Sequence, residues 1–183
     1  MLVCLLGKTA SGKTAIRKKL IENGVKPNIT YTSRPMREGE TDHVDYHFLS
    51  DDEFQQKIDE GFFTEFKKYE TKFGVWWYGS VLTNRDHCKD EVIILTPEGY
   101  RDVKDKLDED VLSIYIYANN ATIKERLKRR GDDKVEAVRR FEHDLIDFKG
   151  IENEVDRIVY NNLNDDLDDV TGKIIKIMKE FKK

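Results

Sequence analysis

The sequence holds little cysteine, no long apolar run and no excess of basic charge, and each shortage closes off a class of protein. Its two cysteines, Cys4 in an apolar stretch and Cys88 in a polar one, fit no metal-ligand or redox spacing. They read as reduced thiols in a cytoplasmic chain, and neither is assigned a catalytic role. No segment approaches the roughly 20 apolar residues of a membrane span. The apolar start, residues 1–6, carries no basic leader and runs straight into a glycine loop, which is not the layout of a signal peptide. With 32 basic against 36 acidic residues the net charge is −4, so the broad positive field that holds nucleic acid or a membrane surface is missing and any anion site has to be local. Repeats and low-complexity segments are absent too. A chain of 183 residues supports one domain with a full core and small inserted lobes at most.

What is present is an alternation of apolar strands and amphipathic helices, the pattern of an α/β fold with a parallel sheet between helices. Strands are expected at 1–6, 28–32, 91–95, 111–117 and 156–160, and helices at 13–23, 97–107, 120–130, 133–148 and 166–182. Thr96-Pro97 reads as a helix cap followed by the first helical residue. Residues 42–82 differ, being rich in Tyr, Phe and Trp. There Ser50 and Glu53 form a capping box, and Phe62 to Phe66 and Lys72 to Tyr78 read as β segments of a small mixed insertion.

Between the first strand and the first helix lies Gly7-Lys8-Thr9-Ala10-Ser11-Gly12-Lys13-Thr14. Glycines let the backbone curl, successive N–H groups turn inward, and the helix end adds positive potential, so this spacing in this place makes a nest for a nucleotide's phosphates. Gly7, Ala10, Ser11 and Gly12 supply the cradle, Lys13 reaches the phosphates as a point charge, and the Thr14 hydroxyl is placed for the accompanying Mg²⁺. After the second strand come Arg34 and Arg37 in a loop stiffened by Pro35. Two guanidinium forks of permanent charge can converge on one phosphate, although alone they suit a solvated surface equally well.

Downstream follow Asp45-Tyr46-His47-Phe48, Phe63-Thr64-Glu65-Phe66 and Trp77-Tyr78-Gly79-Ser80, in that order. With these segments the chain resembles the guanylate kinases, over essentially its whole length. The resemblance implies a P-loop NTPase fold of one domain, with a parallel-sheet core (1–32, 83–119 and 151–183), helices on both faces, a small mixed α/β insertion for the nucleoside monophosphate (about 33–82) and a helical lid (about 120–150). It implies transfer of the γ-phosphoryl of ATP, with Mg²⁺, to GMP or dGMP, giving ADP and GDP or dGDP in purine nucleotide metabolism. ATP and GMP are then the partners, with no nucleic acid and no membrane, and a monomer and a homodimer are equally compatible with it. Carried over by motif position, Arg34, Arg37, Tyr46 and Tyr78 bind the acceptor phosphate, Glu65 accepts from the guanine N1–H and 2-amino group, and Thr30, Ser80 and Thr96 lie around the base. Arg126, Arg130 and Arg140 match arginines that close over the phosphates and Asn161 an asparagine near the adenine, while Lys128, Arg129 and Arg139 face solvent.

Chemistry supports Glu65 independently, because guanine presents adjacent donors on one edge and a carboxylate presents two acceptors at matching spacing; adenine has no such pair. Read without the resemblance, Glu65 also suits a solvated strand position, Tyr46 and Tyr78 suit core packing, and the lid arginines suit a helix surface. For Trp76 and Trp77 packing is the reading kept. Two departures stand out. Ile94 and Thr96 occupy the end of the third core strand, where the family carries aspartates, and the stretch from Glu65 to Tyr78 is longer than usual, as an extended hairpin would be. The missing aspartates keep open a kinase of the same build acting on another nucleotide or on a sugar phosphate; a non-catalytic interaction module fits less well, because the phosphate loop is intact.

Overall fold

Every residue of the first strand, β1 (Leu2–Leu6), is buried, which a strand achieves only when both its edges are paired and both its faces covered. The computed structural model describes residues 1–182 apart from 72–73, 84, 86–87, 108–109 and 131–133. In it β1 runs through the glycine loop into α1 (Lys13–Glu22), followed by three two-residue strands, β2 (Lys26–Pro27), β3 (Tyr31–Thr32) and β4 (His47–Phe48). Helix α2 (Asp51–Asp59) precedes β5 (Glu65–Thr71) and β6 (Gly74–Ser80). Then come β7 (Glu91–Ile94), α3 (Pro97–Lys106), β8 (Val111–Tyr117), α4 (Asn120–Arg130), α5 (Lys134–Asp147), β9 (Arg157–Tyr160) and α6 (Leu167–Phe181).

The core sheet has the order β2-β7-β1-β8-β9, and all its pairs are parallel. Alternation along β1 divides the core in two. Val3 and Leu5 pack with Ile16 and Leu20 of α1 and Val170, Ile174 and Met178 of α6. Leu2, Cys4 and Leu6 point the other way, onto Tyr100 and Val103 of α3 and onto Phe148 and Ile151. Helices therefore cover both faces, as the alternation in the sequence implied. Among the described residues no helix is long and apolar enough to cross a membrane.

A second sheet, order β4-β3-β6-β5, forms the aromatic-rich insertion. Its hairpin keeps an unbroken antiparallel register from Glu65↔Ser80 to Thr71↔Gly74, so the long stretch noted in the sequence is an extended hairpin. The second β segment, expected from Lys72, is seen as β6; Lys72 itself lies outside the described residues, as do 131–133 in the expected lid turn. The fully buried Phe54 of α2 stacks on Phe63, centroids 4.5 Å apart, and on Trp77 at 6.1 Å. Ser50 and Glu53 make the capping box read from the sequence, and Thr96 caps α3 with Pro97 behind it.

One expected element is different. Residues 28–32 do not form a single core strand: Lys26–Pro27 pairs with β7 at the edge of the core sheet, whereas Tyr31–Thr32 pairs with β4 and β6 in the second. The crossing starts after Asn28, which is fixed by both ends, its N–H on the Val92 carbonyl at 2.9 Å and its amide on Glu91 Oε2 at 3.2 Å.

Candidate functional site

The glycine loop bends because Gly12, the N-cap of α1, has φ 102°, a left-handed conformation that glycine adopts at no steric cost. A side chain would also have no room, since a Cβ there would lie 2.2 Å from Asn161 Nδ2. Asn161, buried just after β9, donates that amide to the Ser11 carbonyl at 2.8 Å. Arg126 of α4 completes the bracing. Its Nη1 donates to the Ala10 and Ser11 carbonyls at 3.3 and 3.2 Å, and its Nη2 to Asn161 Oδ1 at 3.3 Å and to the Asn162 carbonyl at 3.1 Å. Both residues thus hold the loop's own backbone.

Inside the loop, Lys13 Nζ donates to the carbonyls of Gly7 at 2.5 Å and Lys8 at 2.9 Å. Burial pulls its pKa down to about 8; Arg130 nearby pushes the same way and Asp144 against it. Asp144, on α5, accepts the Thr9 N–H at 2.5 Å, and burial raises its carboxyl above the ordinary range despite that bond and Lys13. A carboxylate therefore occupies one donor of the anion nest. Ser11 Oγ is buried with no hydrogen-bond partner among the described residues, and Thr14 is exposed on the first turn of α1.

The other half of the site is built on the second sheet. Arg34 is 3% exposed; its Nη2 donates to both oxygens of Glu40 at 2.7 and 2.9 Å, and its guanidinium carbon lies 5.4 Å from the centre of the Tyr46 ring. Tyr46 and Tyr78 meet edge to face at 6.0 Å. Burial lowers the Arg37 pKa, and the neighbouring positive charges of Arg34 and Arg140 add to it. The structure thus brings Arg34, Arg37, Tyr46 and Tyr78 together and sets Arg140 beside them. Arg140 itself donates to Glu136 Oε1 at 2.8 Å, a carboxylate it shares with Arg139. Lys128 and Arg129 are exposed.

Glu65 is buried on the same sheet, and Ser80 donates to its Oε1 at 2.6 Å. Burial raises this carboxyl. Thr96 Oγ1 accepts the Gly99 N–H at 3.1 Å at the start of α3, while Thr30 lies at the crossing between sheets, its carbonyl taking the His47 N–H. Three residues went unnoticed in the sequence. Arg17 stands one helical turn past Lys13, almost buried, facing Tyr46 and Asp45; its i+4 spacing from Lys13 was a usable signal. Asp144 and Tyr69 carried none, because only the packing of α5 and the hairpin brings them here.

The chain has relatives among known proteins. A family model described as "Guanylate kinase" matches residues 1–181. Guanylate kinase of Enterococcus faecalis is 31% identical over 204 residues, spanning 99% of this chain and 98% of that one. Guanylate kinase of Helicobacter hepaticus is 30% identical over 183 residues, spanning 96% and 88%. The crystal structure of guanylate kinase from Anaplasma phagocytophilum shares the fold, with a TM-score of 0.73 at 22% identity over 98% of this chain and 85% of that one.

Proposed function

The chain belongs to the guanylate kinase family, and on that premise we propose that it transfers the γ-phosphoryl group of ATP to GMP or dGMP, giving ADP and GDP or dGDP. The observation that carries this reading is the meeting of two cationic anion sites from different parts of the fold: Lys13 with Arg130 at the loop, and Arg34, Arg37 and Arg140 with two tyrosines at the second sheet. Two phosphates can be held there in line. Glu65, dry and already oriented by Ser80, meets the donor edge of a guanine between them. An interaction module of the same fold has no use for an intact phosphate nest.

Phosphoryl transfer passes through a loose transition state, so positioning and charge neutralisation do most of the work and no general base is required. The acceptor phosphate oxygen is the nucleophile. Lys13 and Arg130 spread positive charge over the donor phosphates, Arg34 and Arg37 hold the acceptor, and Arg140 lies where it screens repulsion between the two anions. Arg126 and Asn161 act through the loop by fixing its carbonyls, which keeps its N–H groups turned inward. Thr14 suits Mg²⁺, a hard cation that takes oxygen ligands and keeps several from water and substrate phosphates; bound there with ATP, the ion would neutralise β- and γ-phosphate charge. With two cysteines outside any disulfide, a cytoplasmic setting completes the reading.

The test is ADP release from Mg-ATP with GMP, dGMP, IMP, AMP, CMP and UMP as separate acceptors, against a control without acceptor. Release confined to guanine nucleotides is expected. Release with none of them, from folded protein, overturns the reading.

A further inference from the structure

His43 and His47 stand at the two sides of a turn in the second sheet, and their rings meet with Nδ1 facing Nδ1 at 2.7 Å. Two nitrogens of the same kind cannot both bring a hydrogen to that contact, so at least one presents a lone pair. Asp42 adds a carboxylate, its Oδ2 3.4 Å from His43 Nε2. One ligating atom from each of these three residues lies within 4.8 Å of the other two. None of the three side chains belongs to the phosphate sites or the base site described above.

The turn is already set. Asp42 Oδ1 accepts the His43 and Phe48 N–H groups at 2.9 and 3.0 Å, which turns Oδ2 toward the histidine. The His43 N–H also reaches the Tyr46 carbonyl at 2.8 Å, and the Thr41 carbonyl takes the Asp45 N–H at 3.0 Å. Asp45 Oδ2 in turn accepts the Thr41 N–H at 2.9 Å. His43 has φ 61°, in a left-handed region that histidine enters more often than most residues. On β4, His47 lies against the Tyr31 ring, centroids 4.4 Å apart at 31°, with its N–H on the Thr30 carbonyl. With the backbone held at both sides, little ordering is left to oppose the binding of a ligand between the rings.

Two imidazoles and a carboxylate are the donor set of a borderline divalent transition cation, and Zn²⁺ takes three such ligands with water in fourth place. A hard cation such as Mg²⁺ prefers oxygen alone, which separates this chemistry from that of Thr14 and the nucleotide phosphates. We propose that Asp42, His43 and His47 form a Zn²⁺ site that clips the turn 42–47 onto β4. Two nitrogens on one Zn²⁺ stand about 3.4 Å apart when each Zn–N bond is about 2.1 Å. The rings therefore have to part by less than an ångström, and the Asp42 and His43 side chains are exposed and free to adjust.

The experiment is calorimetric titration of metal-free, untagged protein with Zn²⁺ in the absence of nucleotide, with Co²⁺ as a spectroscopic probe of the ligand set. One ion per chain is expected, with visible absorption bands from bound Co²⁺. The chain has 4 histidines. The double variant His87→Ala/His143→Ala removes the two outside the turn, including His143 in its pair with Asp147 at 2.7 Å, and should bind Zn²⁺ as wild type does. His43→Asn suits the same left-handed backbone, and His47→Phe keeps a ring against Tyr31. Each should weaken Zn²⁺ binding about tenfold or more, and so should Asp42→Asn, which retains an oxygen for the two N–H groups. Thermal melting verifies that each variant folds. Unaltered affinity in folded His43→Asn, loss of binding in the double variant, or no uptake of Zn²⁺ by wild type overturns the assignment.

Discussion

Lys13 is held where a lysine is hard to keep charged, and its lowered pKa, about 8, has two consequences of opposite sign. Between pH 8 and the ordinary lysine range the unfolded chain binds more protons than the fold, so at neutral pH the buried cation opposes folding. Lys13→Met should therefore raise the melting temperature while removing about 10²–10³-fold of kcat. For ATP the sign reverses, because the phosphates call for the ammonium: ATP affinity should fall about fivefold between pH 8 and pH 9, and calorimetry in two buffers should show proton uptake on binding. Gly99 makes a second case. Gly99→Ala favours the helix by up to about 1 kcal/mol but drives a methyl into Glu65 Oε2, so thermal stability should hold or rise while the KM for GMP increases. Residues of this kind were legible when chemistry fixes their spacing, as in the glycine loop and the paired arginines. Asp144 and Tyr69 were not, since their neighbours lie 135 residues away in one case and across two folded elements in the other.

Helix α5 shows how one element can carry both a support and an obstruction. At its first turn a hydrogen bond from Arg139, aided by Arg140, holds Glu136 down to about 2. A carboxyl depressed in this way stabilises the fold above its unfolded pKa near 4.5 and loses that contribution as the pH falls toward 2. Urea titrations should show Glu136→Gln less stable than wild type at pH 7, with the difference shrinking through pH 4 to 3. Eight residues along the chain from Glu136, Asp144 occupies the Thr9 N–H that a phosphate would claim. Asp144→Asn should lower the KM for ATP about threefold to tenfold by removing a competing, like-charged group; a raised KM would show that the carboxylate supports ATP instead. The sequence announced α5 by its amphipathic pattern, yet periodicity does not say which sheet a strand joins. Residues 28–32 alternate as a strand should, and they nonetheless divide between two sheets: Asn28 still donates to Val92 of β7, whereas Tyr31–Thr32 pairs with β4 and β6.

At the scale of the whole molecule, a net charge of −4 surrounds a site made of arginine and lysine. Binding there should be worth more to stability than any single surface pair. At 100 times Kd each nucleotide adds about 2.7 kcal/mol, or about 5–10 °C in melting temperature. The ATP increment should vanish in Lys13→Ala and the GMP increment in Glu65→Gln, each leaving the other intact; loss of both in either variant would mean the two sites are not separable. The layered α/β core was legible because a parallel sheet writes itself as buried apolar strands between amphipathic helices. Its strand order was not, and that order governs how the protein is made. β1 leaves the ribosome before the other strands of its sheet, yet it sits mid-sheet between partners that begin at Glu91 and Val111. At synthesis rates of about 5–20 residues per second, five fully apolar side chains wait on the order of 5–20 s for their neighbours. Until they emerge the nascent chain carries an unpaired apolar strand, the kind of surface that aggregates, and a ribosome stalled short of β8 would present the phosphate loop without the strand that closes its floor.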